Sequence, residues 1–257
     1  MLALSSITKN FGGLQVLQNI TLAVPERGIF GLIGPNGAGK TTVFNLITGL
    51  LAPTSGTLEF HGQRLNGLAP HQITRYGIAR TFQNIRVFKE MSLADNVLVA
   101  IGGQARYSPL RLLAPSATLR VAQREEHSTT WGLLAKVGLA DKAKLLAGQL
   151  SYGEQRRLEI ARALATGPKL LLLDEPAAGM NSAEKQQLMD EIVKLKEDGL
   201  SLLIIEHDMR FIMRICQEIA VLNFGQLIAQ GTPEAIRNNS EVVEAYLGDD
   251  GDDDLPL

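Results

Sequence analysis

A glycine-rich stretch near the start of the chain has the residue types and spacing that bind phosphate groups. It fits the pattern G-x-x-x-x-G-K-[ST] in full, with the residues Gly34, Pro35, Asn36, Gly37, Ala38, Gly39, Lys40, Thr41 and Thr42. The glycines let the backbone wrap closely, so that its N–H groups face an anion. Lys40 would reach the β- and γ-phosphates of a nucleotide, and the Thr41 hydroxyl would bind Mg²⁺. The alternative is a glycine-rich turn with an incidental lysine.

The residues on either side of this stretch have the pattern that a phosphate-binding loop needs. Residues 28–33 are apolar and predict a short strand, and residues 43–47 continue at helical spacing. A strand, a glycine loop and a helix in this order are the context in which the motif binds a nucleotide. We therefore predict a phosphate site at residues 34–42.

Two further apolar runs end in residues that could do chemistry. Residues 170–173 are four leucines that run into Asp174 and Glu175, and residues 202–205 run toward His207. Such runs are typical of strands buried in a parallel sheet, and ligands bind beyond the carboxyl ends of these strands. We predict that Asp174 lies near Mg²⁺, that Glu175 holds the attacking water and that His207 repeats this placement. The alternatives are a pair of surface acids and a structural histidine.

A second candidate for anion binding lies at the start of a predicted helix. Ser151 is followed three residues later by Glu154, which is the spacing of a capping box. The simplest interpretation is a well-capped helix. A capped helix N-terminus with Gly153 beside it also attracts anions, because the N–H groups and the positive end of the helix dipole point at them.

Phe11 is the aromatic residue of a predicted turn at residues 9–13. An aromatic ring on a turn can stack on a nucleobase, or it can close the edge of a hydrophobic core. Its position in the chain favours the core, so the residue by itself does not predict a nucleotide contact.

The rest of the sequence predicts an α/β protein with an all-helical insertion. Residues 2–7, 14–24 and 28–33 predict strands, whereas residues from about 91 to 150 have helical patterns. The net charge of −2 gives no support to nucleic-acid binding, and the single cysteine excludes an internal disulfide and a multi-cysteine metal site. Without a leader or an apolar run of about 20 residues, we expect a soluble cytoplasmic protein, which does not exclude docking on a membrane protein.

In this order, the motifs resemble the ATP-binding subunit of an ABC transporter over residues 2 to about 248. The resemblance implies an α/β fold with a P-loop NTPase (RecA-like) core, an N-terminal antiparallel β subdomain and an inserted α-helical subdomain at about 88–165. It makes residues 1–248 the ATP-binding domain. Residues 249–257 remain as an acidic tail, which we expect to be disordered.

The resemblance also implies roles for individual residues in binding and hydrolysing MgATP. The residues expected to act in hydrolysis are Lys40, Gln83, Glu175 and His207. The residues expected to hold Mg²⁺ are Thr41, Gln83 and Asp174. ATP would be bound by residues 34–42, with Phe11 against the adenine, and by Ser151, Gly153 and Glu154 of a second subunit in a head-to-tail dimer.

More narrowly, the chain is similar to the larger ATPase subunit of bacterial branched-chain amino acid importers. The stretches that carry this similarity are residues 80–84, the insertion after Ile101, and residues 175–181 and 244–248. Tyr152 stands where most of the superfamily has glycine, and Asn181 takes the place of the aspartate of the D-loop. Both variants are familiar in the branched-chain subgroup.

The implied function is to couple ATP hydrolysis to the uptake of branched-chain or related amino acids. The implied partners are a second ATPase subunit, two transmembrane permeases at the inner face of the plasma membrane and, indirectly, an extracytoplasmic solute-binding protein, with no nucleic acid. Other solutes, such as other amino acids, amides or urea, are alternatives. A non-transport ABC ATPase would need a long coiled-coil insertion or two tandem domains, and a nucleotide kinase would not explain residues 150–155.

The residues after Gln83 predict the contact with the membrane subunit. Ile85, Val87 and Phe88 give this segment an apolar character, and apolar patches at a subdomain boundary are suited to bind a helix of another chain. The resemblance implies that the coupling helix of a permease docks here. The alternative is that the three side chains only pack the subdomains together.

Overall fold

The computed structural model describes residues 1–104 and 116–247, and the chain divides into two compact units. The first unit comprises residues 1–83, 169–178 and 192 to the end, and the second comprises residues 84–168 and 179–191. The predicted helical subdomain at 88–165 falls within the second unit. The predicted tail at 249–257 and residues 105–115 of the predicted helical insertion lie outside the described residues.

The first unit contains two β-sheets. In chain order, the strands are β1 (Leu2–Phe11), β2 (Leu14–Val24), β3 (Ile29–Ile33), β4 (Ser55–Phe60), β5 (Gln63–Arg64), β6 (Ile78–Arg80), β7 (Leu170–Asp174), β8 (Ser201–Ile205), β9 (Glu218–Asn223) and β10 (Gln226–Gly231). An antiparallel sheet has the order β2-β1-β4-β5. The other sheet has the order β10-β9-β3-β8-β7-β6, and all its pairs are parallel except that of β9 with β10.

The three central strands β3, β7 and β8 are buried at every position. The apolar runs of β7 and β8 predicted strands buried in a parallel sheet, and this prediction is confirmed. A single cluster of buried side chains in the first unit includes residues of both sheets and of the helix after β3, among them Leu4, Phe44, Phe60 and Leu172. The core therefore fixes the start of that helix against the parallel sheet.

The helices are distributed over both units. In chain order they are α1 (Lys40–Ile47), α2 (Pro70–Tyr76), α3 (Leu93–Gln104), α4 (Ser116–Lys136), α5 (Tyr152–Leu164), α6 (Ser182–Glu197), α7 (Met209–Ile215), α8 (Pro233–Arg237) and α9 (Ser240–Leu247). Helices α3, α4 and α5 belong to the second unit, and α6 has residues in both. Among residues 1–104 and 116–247, none of the helices has the length and apolarity that a membrane crossing requires.

The predicted turn at residues 9–13 is wrong. Strand β1 continues through Phe11, which pairs with Leu14 of β2, so that only two glycines form the turn. The pairing with β2 overrides the local turn signal, because it supplies partners for the backbone groups of the last residues of β1. The side chain of Phe11 is also 45% exposed, so its assignment to the core is wrong as well.

Candidate functional site

The glycine loop joins the end of β3 to the start of α1 and depends on glycine at two close approaches. Gly34 has a φ of +146°, and a Cβ there would lie 2.0 Å from the carbonyl oxygen of Leu222. Gly39 has a φ of +104°, and a Cβ there would lie 2.6 Å from Cδ2 of Leu17. Both positions therefore exclude any side chain, and the loop is held tightly against β9 and β2.

Lys40 is the first residue of α1, and its charge is buried inside the loop. Only 5% of the residue is exposed. Its Nζ donates hydrogen bonds to the carbonyl oxygens of Gly34, at 2.5 Å, and Pro35, at 2.8 Å. Helix α1 has Gly39 at its N-cap and therefore no capping side chain. The N–H groups of its first turn and the ammonium group of Lys40 thus form a positively polarised hollow that suits an anion.

Three of the predicted catalytic residues are in direct contact. Gln83 follows β6, Glu175 follows β7 and His207 follows β8, on three neighbouring strands. Gln83 donates a hydrogen bond from Nε2 to Oε2 of Glu175 at 2.8 Å. Nε2 of His207 lies 2.5 Å from Oε1 of the same carboxylate. Both oxygens of Glu175 are therefore held by polar side chains at the carboxyl ends of parallel strands, where ligands bind in such sheets.

The backbone of Glu175 has an uncommon conformation. Its φ of +47° lies in the left-handed region, which costs a non-glycine residue free energy. The N–H of Glu175 donates to the carbonyl oxygen of Ile205 at 2.9 Å, which continues the pairing of β7 with β8. The strained turn directs the Glu175 side chain to the edge shared by Gln83 and His207.

Asp174 is the last residue of β7, and the structure shows a partner that the sequence did not predict. Its Oδ2 accepts a hydrogen bond from Nη2 of Arg80 at 2.7 Å. The two side chains are 5% and 6% exposed. The sequence did contain a signal for such a partner, because Arg80 directly follows the apolar pair Ile78 and Ala79. An arginine in a buried strand needs a partner for its charge.

Glu206 is a second buried carboxylate that the sequence did not single out. It accepts hydrogen bonds from the N–H of Ala177 at 2.6 Å and from the N–H of His207 at 3.2 Å. Burial raises the pKa of Glu206, although the two N–H donors oppose this shift. Glu206 thus links the chain after Glu175 to the strand end that carries His207. Its signal in the sequence was a carboxylate directly after an apolar run.

In the second unit, the predicted capping box at the start of α5 is confirmed. The Ser151 hydroxyl accepts from the N–H of Glu154 at 3.3 Å, and the Glu154 carboxylate accepts from the N–H of Ser151 at 3.0 Å. Lys142 forms an ion pair with Glu154, and its hydrogen bond is the main reason that the pKa of Glu154 is lowered. Gly153 is buried, and a Cβ there would lie 2.9 Å from Oε1 of Glu184.

The two residues that depart from the common pattern have structural partners within the second unit. The ring of Tyr152 lies beside Gly179, with 3.3 Å between its Cε1 and the position of a Cβ on the glycine. The side-chain oxygen of Asn181 accepts hydrogen bonds from the N–H groups of Ala183 and Glu184, each at 3.0 Å. Asn181 therefore caps the N-terminus of α6, a position that asparagine and aspartate fill equally well.

Comparison with known families identifies the class of protein. Residues 17–178 match the family model described as ABC transporter. The chain therefore belongs to the ABC transporter family, and both the P-loop NTPase fold and the prediction of an ABC-type ATPase are confirmed. Residues 226–252 match a second model, described as branched-chain amino acid ATP-binding cassette transporter.

Individual relatives cover nearly the whole chain. The high-affinity branched-chain amino acid transport ATP-binding protein BraF of Pseudomonas aeruginosa is 46% identical over 252 residues, which are 97% of this chain and 98% of that protein. The ADP conformation of MJ1267, an ATP-binding cassette of an ABC transporter, is 31% identical with a TM-score of 0.84 over 96% of this chain and 98% of that one. The dimeric post-hydrolysis state of the cassette MJ0796, bound to ADP and Pi, is 26% identical with a TM-score of 0.75 over 91% and 99% of the two chains.

The buried carboxyl of Glu206 predicts a pH-dependent difference in stability. Because its folded-state pKa lies above the ordinary value of 4.5, the folded protein binds more protons than the unfolded chain between these two pKa values. Wild type should therefore lose stability relative to Glu206→Gln as pH rises from about 4.5 through the raised pKa, and the difference should then level off. Urea unfolding at a series of pH values measures this difference.

The control for this measurement is Glu197→Gln, because Glu197 is an exposed residue at the end of α6. The free energy of unfolding of Glu197→Gln should equal that of wild type at every pH. A difference between wild type and Glu206→Gln that stays constant, or that grows in favour of wild type as pH rises, would contradict the assignment of a raised pKa.

Proposed function

We propose that this protein is the ATP-hydrolysing subunit of an importer for branched-chain or related amino acids. The hydrolytic part of this proposal rests on the contact of Gln83 and His207 with both oxygens of Glu175. The assignment of the solute rests on the match of residues 226–252 to the branched-chain family model and on relatives such as BraF. Other amino acids and amides are the alternative solutes, because the solute itself does not pass through an ATPase subunit.

Residues 34–42 bind the phosphates of ATP in this proposal. The N–H groups at the start of α1 and the ammonium group of Lys40 face the phosphate oxygens, with Thr41 and Thr42 in the first turn of the helix. Phe11 stacks on the adenine. Its ring at the end of β1 is 45% exposed, which supports this role, and the ammonium group of Lys9 lies 4.8 Å from the ring centre.

Glu175 acts as the general base that takes a proton from the attacking water. Its two hydrogen-bonding partners fix the direction of the carboxylate, and His207 and Gln83 also contact the γ-phosphate or the water beside it. Lys40 offsets the negative charge that develops on the phosphate oxygens. These four side chains supply the groups that in-line attack on a phosphoryl group requires.

Oxygen donors at the start of α1 and near the ends of β6 and β7 suit Mg²⁺. The hydroxyl of Thr41, the carboxylate of Asp174 and the amide oxygen of Gln83 are hard ligands, which Mg²⁺ prefers. Among the described residues, no group of three or more His, Cys, Asp or Glu is placed to hold a metal. A site of few protein ligands fits an ion that is bound together with phosphates, where it would neutralise charge on the β- and γ-phosphates.

Two copies of the subunit assemble head to tail around ATP, either as a homodimer or with a related ATPase. Ser151, Gly153 and Glu154 at the start of α5 then face the nucleotide of the other copy. The capped helix N-terminus supports this role, because its N–H groups and dipole favour an anion. The MJ0796 cassette bound to ADP and Pi, a relative of this chain, is dimeric.

The dimer binds two transmembrane permeases on the inner face of the plasma membrane, and through them it responds to an extracytoplasmic solute-binding protein. Phe88 of the second unit is the proposed contact. Its backbone is fixed by buried Asn96, which bonds both the N–H and the carbonyl oxygen of Phe88 at 2.9 Å. Its ring is 46% exposed and lies 4.7 Å from the guanidinium of Arg162. A rigid backbone that presents an exposed aromatic ring suits a docking surface.

Replacing Glu175 by glutamine should slow hydrolysis while leaving ATP binding intact. The loss of a general base reduces the rate by roughly 10²–10⁴, and the ATP-bound dimer should live longer than that of wild type. Phosphate release by the assembled transporter and the dimer lifetime are the two measurements. Glu197→Gln should behave like wild type, because Glu197 is exposed at the far end of α6. Rapid turnover by Glu175→Gln would assign the base to another residue.

The solute is tested with the subunit purified together with its permeases and its solute-binding protein. We expect leucine, isoleucine or valine to stimulate ATP hydrolysis by the reconstituted complex, because hydrolysis is coupled to the loaded binding protein. Glutamine, urea and short amides are the comparison solutes. If glutamine, urea or a short amide stimulates hydrolysis and branched-chain amino acids do not, the proposed solute is wrong. The assignment as an ATPase would remain.

Replacing Phe88 by serine should uncouple transport from hydrolysis with little effect on the isolated subunit. The exposed ring contributes little to folding, so the free energy of unfolding should change by no more than about 0.5 kcal/mol. Solute uptake should fall in the complex while ATP binding is retained. Val99→Ser is the matched control, because Val99 is an equally exposed apolar residue on α3. A large loss of melting temperature in Phe88→Ser would show that Phe88 is a core residue.

A further inference from the structure

Arg80 is a buried cation at the end of β6, and its two closest oxygen partners lie on different elements. Its Nη2 donates to Oδ2 of Asp174 on β7 at 2.7 Å. Its Nη1 donates to Oδ1 of Asn45 on α1 at 2.7 Å. The planar fork of a guanidinium can hold two oxygens in fixed directions, which an ammonium group cannot do. Arg80 therefore sets the position of the Asp174 carboxylate relative to α1.

Two aromatic rings fix the Arg80 side chain further. The guanidinium carbon lies 5.4 Å from the ring centre of Phe44 and 5.3 Å from that of Phe82. Its Nε is buried and has no hydrogen-bond partner in the described part of the chain. The site thus leaves one donor of Arg80 unsatisfied and satisfies the two that hold Asp174 and Asn45, so these contacts determine the orientation of the group.

We infer that Arg80 positions the Asp174 carboxylate for the Mg²⁺ that accompanies ATP, an inference that rests on the function proposed above. The ion pair uses Oδ2 and leaves Oδ1 outside it. Partners behind a ligating carboxylate orient it, and their loss reduces metal affinity. Through Asn45, the same side chain also connects Asp174 to α1, whose first turn contains Thr41, another proposed protein ligand. Arg80 acts through Asp174 and is a positioning residue.

A purely structural ion pair is the competing explanation, because removing one partner of a buried pair destabilises a protein whatever its function. Metal affinity separates the two explanations. The variants are Arg80→Gln and Arg80→Lys, and the control is Arg75→Gln on the exposed side of α2. Arg80→Lys keeps the charge but loses the fork, so it remains informative if the glutamine variant does not fold.

The readout is binding of Mn²⁺, as a paramagnetic substitute for Mg²⁺, to the full-length protein with ADP, followed by electron paramagnetic resonance. ADP affinity in EDTA is measured beside it. We expect Arg80→Gln to weaken Mn²⁺ binding by about 10–100-fold and Arg80→Lys by a smaller factor. ADP affinity in EDTA should stay within about twofold of wild type, and Arg75→Gln should match wild type in both measurements.

A double-mutant cycle with Asp174→Asn tests whether Arg80 acts through the carboxylate. Arg80→Gln should cause no further loss of Mn²⁺ affinity once Asp174 has been replaced. Unchanged Mn²⁺ affinity in folded Arg80 variants, or the same loss in the presence and absence of the Asp174 carboxylate, would overturn the inference. Failure of wild type to bind ADP in the presence of Mn²⁺ would instead overturn the proposed function, and the inference with it.

Discussion

The parallel register of β6, β7 and β8 determines which polar groups meet at the candidate site. Leu172 of β7 pairs with Arg80 on one side and with Leu203 on the other, and Asp174 pairs with Ile205. Because the three strands run in the same direction, the residues that follow them emerge at one edge of the sheet. A slip of one residue in any strand would turn its side chains to the opposite face and separate these groups. Strand pairing is thus the condition on which the chemistry depends.

The sequence predicted the parts of this arrangement that have a local signature. Four consecutive leucines predicted a buried strand and the acids at its end, and the spacing of Ser151 and Glu154 predicted the start of α5. The strand and the capping box could be predicted because each is encoded within a few neighbouring residues. The family resemblance implied that Gln83, Glu175 and His207 act in hydrolysis, but the sequence did not predict their direct contact.

The features that the sequence did not predict depend on distant partners. Arg80 and Asp174 are 94 positions apart. An arginine after an apolar pair indicates that a buried partner exists, but no local pattern identifies which residue it is. Glu206 receives its hydrogen bond from Ala177, 29 positions away. Long-range pairing decides these two cases, and a window of neighbouring residues does not contain it. Phe11 was misplaced for a local reason, since its pairing with Leu14 extends β1 into the residues that read as a turn.

The burial of Lys40 has a consequence for the thermodynamics of ligand binding. Two backbone carbonyl oxygens have replaced water around its ammonium group in the folded chain. When an anion binds, its negative charge replaces neutral carbonyl dipoles as the partner of the ammonium group. Little water has to be removed from Lys40 at that step. The cost of dehydrating Lys40 is included in the free energy of folding and not in that of binding. The loop is therefore less stable, and binds an anion more tightly, than it would if the lysine were solvated.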